Sequence, residues 1–138
     1  LIQHCAMQVE AKENLVAECR RVLRSGGRLL FHDWFLGANR PVLFPLPWAS
    51  DESTSFLESL TDMTSRLEAA GFDVEPFVDQ KVEGLRWLAE ARDSATKSRK
   101  QNRELTETQR RNRSISDTMI HNLRDERLML GFLVATAR

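Results

Sequence analysis

Apolar positions fall along the chain in blocks with two rhythms. Over residues 9–24 they repeat at helical spacing: Leu15, Cys19, Val22 and Leu23 make one stripe, while Glu13, Glu18, Arg20 and Arg24 take the other faces. Gly26 and Gly27 close this helix, since glycine accepts the left-handed backbone that ends helices. Residues 28–36 are apolar without alternation, with Leu29, Leu30 and Phe31 adjacent. That pattern predicts a strand covered on both faces, as in a parallel sheet. The next helix has the stripe Leu60, Met63, Leu67 and Ala70, a cap at Ser59 or Thr61, and Gly71 as its stop. Residues 72–78 read as a strand, with Pro76 placing it at or near an edge. Residues 83–95 are helical, with Leu85, Leu88 and Ala91 on one side and Trp87 beside them. A polar stretch, 97–113, predicts a solvated helix or hairpin. A short helix over 115–123 and a buried strand over 128–137 follow, and residues 1–7 read as the end of a buried strand.

Between the first long strand and the second helix, residues 39–55 break both rhythms. Pro41, Pro45 and Pro47 forbid regular structure, yet Val42, Leu43, Phe44, Leu46 and Trp48 are too apolar to lie free in water. The loop must pack over something. Helices alternating with strands then give an α/β sheet protein with right-handed crossovers.

The 138 residues suffice for one compact domain, and 41% hydrophobic with 29% charged residues is ordinary globular composition. Twenty basic residues balance twenty acidic ones, so no whole-molecule field draws the chain to nucleic acid or membrane. No apolar run nears the ~20 residues of a membrane span, and no leader pattern opens the chain. A cytoplasmic location is the default expectation. Two cysteines, Cys5 and Cys19, suggest no disulfide framework. A metal site built on His4, Cys5 and Cys19 is disfavoured, because neighbours on a strand point to opposite faces.

Two stretches carry a family resemblance. ENLVAECRRVLRSGGRLLFHDWF, residues 13–35, resembles the helix, glycine-pair turn and strand of class I S-adenosylmethionine-dependent methyltransferases. Ser25 stands where most members of that family carry proline. PVLFPLPWASDESTSFLES, residues 41–59, followed by RLEAAGFDVEPFVD, is similar to the small-molecule (type 11) subgroup. QHCAMQVEAKENL is similar to the segment closing the cofactor site there, and IHNLRDERLMLGFLVATAR to the final helix and antiparallel last strand. The resemblance spans essentially the whole chain. It implies the C-terminal half of a Rossmann-like sheet: strands 4-5-7-6 of the family order 3-2-1-4-5-7-6, with flanking helices. Residues 1–138 then form a partial domain, with a substrate-side loop over 37–58 and a helical, basic insertion over 81–113. The glycine-rich turn and the ribose-binding acid of the family have no counterpart here. The resemblance therefore implies S-adenosylmethionine as cofactor, with weak or no binding by this segment alone.

By the same resemblance Ile2, Gln3, His4, Cys5 and Met7 border the cofactor. His4 is the best proton acceptor for a general base, since imidazole titrates near neutrality; a local hydrogen bond at a strand end is the competing reading. Asp33 and Trp34 sit at a strand's C-terminal end, where open α/β sheets bind ligands, and can line the substrate site; a cap on the following loop is the equal alternative for Asp33. Phe44, Trp48 and Trp87 can cover a substrate and attract a cationic amine through their faces, or simply pack. Residues 97–113 carry seven basic residues against two acidic ones without an aromatic for stacking, which fits a solvated face better than an RNA patch.

Three functions remain open on the sequence. The first is methyl transfer to a small-molecule acceptor, with the other half of the domain supplied elsewhere. The second is a non-catalytic half-domain acting by self-association or through a partner chain, since an unpaired strand edge invites pairing. The third is an RNA methyltransferase fragment using the basic segment.

Overall fold

Gly26 takes the chain out of the first helix with φ of +77°, a conformation a side chain would oppose. Its N–H donates to the Ala137 carbonyl, and Ala137 N–H returns to Gly27. The turn is thereby locked to the last strand before its own strand begins.

The computed structural model describes residues 1–97 and 106–138. In chain order the elements are β1 (Ile2–Gln3), α1 (Lys12–Val22), β2 (Arg28–Leu36), α2 (Leu60–Ala69), β3 (Phe72–Val74), β4 (Val78–Asp79), α3 (Lys81–Lys97), α4 (Glu107–Arg124) and β5 (Leu128–Ala137). The sheet runs β1-β2-β5-β3, with β4 also on β5. β1 lies parallel to β2, pairing Ile2 with Phe31, and β5 is antiparallel to all its neighbours.

Two apolar layers sandwich this sheet. Leu29, Phe31 and Phe35 join Val16, Met63, Leu67 and Leu133 under α1 and α2. Trp34, Leu128 and Leu130 join Leu88, Met119, Ile120 and Leu123 under α3 and α4. Both faces of β2 are covered, which is why its sequence does not alternate. Ser59 caps α2 by accepting from Asp62 N–H.

Several boundaries differ from those predicted. Helix 9–24 shortens to Lys12–Val22, because residues Ala6–Gln8 form a 3-10 turn and Leu23 is already extended. Val22 leaves the apolar stripe and is 65% exposed; Val16 is buried in its stead. Strand 72–78 splits in two: Glu75 N–H still reaches the Val134 carbonyl, but Pro76 has no N–H to continue the ladder. Pairing resumes at Val78, opposite Phe132. It does so close in, since a Cβ on Gly131 would lie 2.2 Å from the Val78 carbonyl oxygen. The helix expected over 115–123 reaches back to Glu107, started by a capping box in which Thr106 and Gln109 bond each other's backbone. Of the polar stretch 97–113, residues 98–105 lie outside the described residues. Residues 1–7 contribute only Ile2–Gln3 to the sheet. No helix among the described residues is long and apolar enough to cross a membrane.

Candidate functional site

Alternation along β2 sorts its side chains between two roles. Phe31, Asp33 and Phe35 are buried, the two phenylalanines in the α1–α2 layer, while His32 and Trp34 open onto a cavity of about 870 Å³. Leu130, paired with Trp34 across the sheet, extends the cavity floor. Gln3, His4 and Met7 enter from the end of β1, Pro47 and Trp48 from the proline-rich loop, and Glu83, Trp87, Leu88 and Met119 from α3 and α4. The site lies at the carboxyl end of a parallel strand, where α/β sheets bind ligands.

His4 is held tightly. Its backbone takes φ of +51°, uncommon for a residue with a side chain, and its N–H donates to the His32 carbonyl. The indole N–H of Trp34 donates to His4 Nδ1 at 3.0 Å. The His32 ring stands edge-on to it at 4.8 Å. Burial holds the His4 pKa below its ordinary value, His32 adds to that, and Asp33 opposes it. His4 is therefore a neutral imidazole at physiological pH, with Nδ1 as acceptor and its proton on Nε2. His32 stacks on Phe132 at 4.3 Å, and its Nε2 is buried without a partner.

Supports come from both sides of the sheet. Asp33 is fully buried and accepts from Cys5 N–H at 3.1 Å, Ala6 N–H at 2.9 Å and Trp34 N–H at 2.9 Å. It shapes the turn that projects His4 and does not line the cavity. Lys12 is buried as well, its Nζ donating to the carbonyls of Val9 and Phe56. Phe56 N–H in turn reaches the Met7 carbonyl, so the end of the loop is tied to the segment after β1. Burial lowers the Lys12 pKa, with Glu58 opposing. Asn122, buried on α4, grips Leu43 with its amide, accepting from N–H and donating to C=O, each at 2.8 Å. The loop includes two cis peptides, Arg40–Pro41 and Phe44–Pro45.

Of the residues singled out by sequence, Gln3, His4, Met7, Trp34, Trp48 and Trp87 meet at the cavity. Ile2 faces the α1–α2 core, and Cys5 is exposed outside the cavity. Phe44 packs against the other apolar layer and lines a smaller cleft of about 280 Å³. Trp48 is oriented by donating to Ser55 Oγ at 3.1 Å. His32 and Glu83 were not expected at the site. Both were signalled by spacing: His32 is two residues from Trp34 on a strand, Glu83 one helical turn from Trp87. Among the described residues no group of three His, Cys, Asp or Glu side chains could hold a metal ion.

No protein-family model matches the chain, and neither does any curated protein sequence. Solved structures do. Phosphoethanolamine N-methyltransferase 2 of Haemonchus contortus, in complex with phosphomonomethylethanolamine and S-adenosylhomocysteine, superposes with a TM-score of 0.79 over 98% of this chain at 16% identity. The chain has a methyltransferase fold. Geranyl diphosphate C-methyltransferase of Streptomyces coelicolor A3(2), bound to Mg2+, geranyl diphosphate and S-adenosylhomocysteine, matches 99% of the chain at 0.66 and 17% identity. Mycolic acid cyclopropane synthase matches 99% at 0.74 and 12% identity. The chain spans 32%, 45% and 58% of those three proteins. The methyltransferase order 4-5-7-6, with an antiparallel last strand, is the order β1-β2-β5-β3 observed here.

Proposed function

We propose that the chain is the acceptor-side half of an S-adenosylmethionine-dependent methyltransferase acting on a small molecule. One observation carries this reading: Gln3, His4 and Met7, at the end of β1, open into the same cavity as Trp34, Trp48 and Trp87. Donor and acceptor would then share one space, bordered by these six residues. The residues fit the donor, because the strand end presents polar Gln3 and His4 beside apolar Met7, and His32 Nε2 nearby is buried and unpartnered. S-adenosylmethionine, when bound, supplies an electrophilic methyl group and departs as a thioether.

This chain's residues supply position and dryness, the larger part of such a displacement. Trp34, Trp48, Met119 and Leu130 exclude water around the acceptor. His4 would border the donor from the end of β1. While Trp34 donates to Nδ1, His4 presents Nε2–H, a donor suited to an oxygen atom of the acceptor or of the methyl donor; a base role requires that bond to open. Asp33 and Lys12 are positioning residues, holding the turn after β1 and the loop end. The test is transfer of an isotopic methyl group into a cell extract split into small-molecule and RNA fractions. Label in small molecules supports the reading. Label in RNA alone, or none from a preparation that binds the donor, overturns it.

A second reading has its own observation. β1 is hydrogen-bonded to β2 alone among the described residues, so its other edge is open to a further strand. A half-domain that pairs through this edge, with itself or with a partner, fits that arrangement. Equilibrium sedimentation at micromolar concentration discriminates: a dimer favours it, and a monomer with slow amide exchange at Ile2 and Gln3 excludes it.

A further inference from the structure

The chain has three tryptophans and no tyrosine, and all three tryptophans line the one cavity. Trp34 and Trp48 meet as a corner, ring centres 6.2 Å apart and planes tilted by 33°. Trp87 stands at the rim, 63% exposed. Glu83 lies one turn before it on α3, so both project from the same helix face, and both line the cavity. Glu83 is the sole Asp, Glu, Lys or Arg side chain on that lining among the described residues. It has no ion pair or hydrogen bond to any described residue. The remaining polar groups there are amides, a hydroxyl, the indole N–H groups and the imidazoles of His4 and His32, with His4 kept uncharged by burial.

Aromatic faces attract cations through their quadrupole, most strongly for tryptophan, and quaternary ammonium groups are the usual guests of such enclosures. An unpaired carboxylate beside them adds charge of the right sign. A phosphate would meet Glu83 with no counter-charge from the described lining. We propose that the cavity is an ammonium-binding site, and that the acceptor is a small amine carrying no phosphate whose ammonium group seats between Glu83 and the indoles of Trp87 and Trp48. A nitrogen that takes the methyl first releases its proton to water, since only its lone pair can displace the thioether. Calling the ligand an acceptor rests on the methyl-transfer reading; the binding site itself does not.

Because every tryptophan lines the site, intrinsic fluorescence reports its occupancy directly. The probes are choline, its neutral tert-butyl analogue and phosphocholine, titrated into the whole chain. Choline is expected to change the emission saturably and to bind about tenfold tighter than the neutral analogue. Glu83→Gln, at an exposed position, should erase that preference while leaving the neutral analogue's binding unchanged. Trp87→Leu should weaken choline severalfold. Choline binding no tighter than the analogue, no response to choline up to about 0.1 M, or phosphocholine binding tighter than choline would each overturn the proposal. The isotopic methyl-transfer assay above, run beside the titrations, separates the two ideas. Ammonium binding with label in RNA alone leaves this site standing and removes small-molecule methyl transfer; label in small molecules without ammonium binding removes the site alone.

Discussion

The indole of Trp34 and the imidazole of His4 are joined by an N–H to Nδ1 bond of 3.0 Å, and that bond decides what His4 can do. A histidine accepting at Nδ1 carries its proton at Nε2. Adding a second proton turns Nδ1 into a donor and sets it against the indole N–H. Burial and His32 already disfavour the charged ring, so hydrogen bonding and electrostatics select the same neutral state.

Acid should therefore weaken the fold in a defined window. The His4 pKa is lower folded than unfolded, so between the folded value and about 6.5 the unfolded chain binds more protons. Stability falls as pH drops through that interval and levels off below the folded pKa. Melting temperatures taken from pH 7.5 down to 5 check this. His4→Asn, which tolerates the left-handed backbone, should remove this component, and an unchanged pH profile would contradict it.

Asp33→Ala should destabilise without emptying the cavity. Three backbone donors lose their acceptor, one of them on buried Ala6. Leaving buried donors unsatisfied costs about 1–3 kcal/mol. Urea denaturation reads the loss, and choline binding by the folded fraction should persist. A loss of binding with stability intact would place Asp33 in the site itself.

Asn122→Ala should free the proline-rich loop. Both amide bonds to Leu43 disappear, at about 1 kcal/mol each with a further cost for the stranded backbone groups. The expected signature is faster proteolysis within residues 39–55 and a fall in stability of about 2 kcal/mol. Unaltered proteolysis would mean that packing of Leu46 and Trp48 holds the loop alone.

The fold was legible because β2 and β5 are long and apolar on both faces, and because Gly26–Gly27 and Gly71 punctuate the helices that precede the strands. The two-residue stub at β1 and the break at Pro76 were not, since they depend on which partners the sheet supplies. α4 was underestimated because its first half is polar, and its start is marked by a capping box rather than by periodicity. Within the site, Trp34 and Trp48 stood out by size. Asp33 was grouped with Trp34 because they are adjacent, yet adjacency on a strand sends them to opposite faces. The same rule, applied in steps of two, would have named His32. Lys12 and Asn122 gave no sequence signal: their partners are the backbone carbonyls of Val9 and Phe56 and the backbone of Leu43.

The central claim is that a methyl donor seats at the end of β1 against His4. Amide chemical-shift mapping with S-adenosylhomocysteine tests it most directly, because it detects binding even in the millimolar range. The account expects weak, saturable shifts at Gln3, His4, Met7 and Gln8 and at the Trp34 indole, with α1 and α2 undisturbed. Shifts centred elsewhere, on α1 and α2 or at the far end of the sheet, would contradict it.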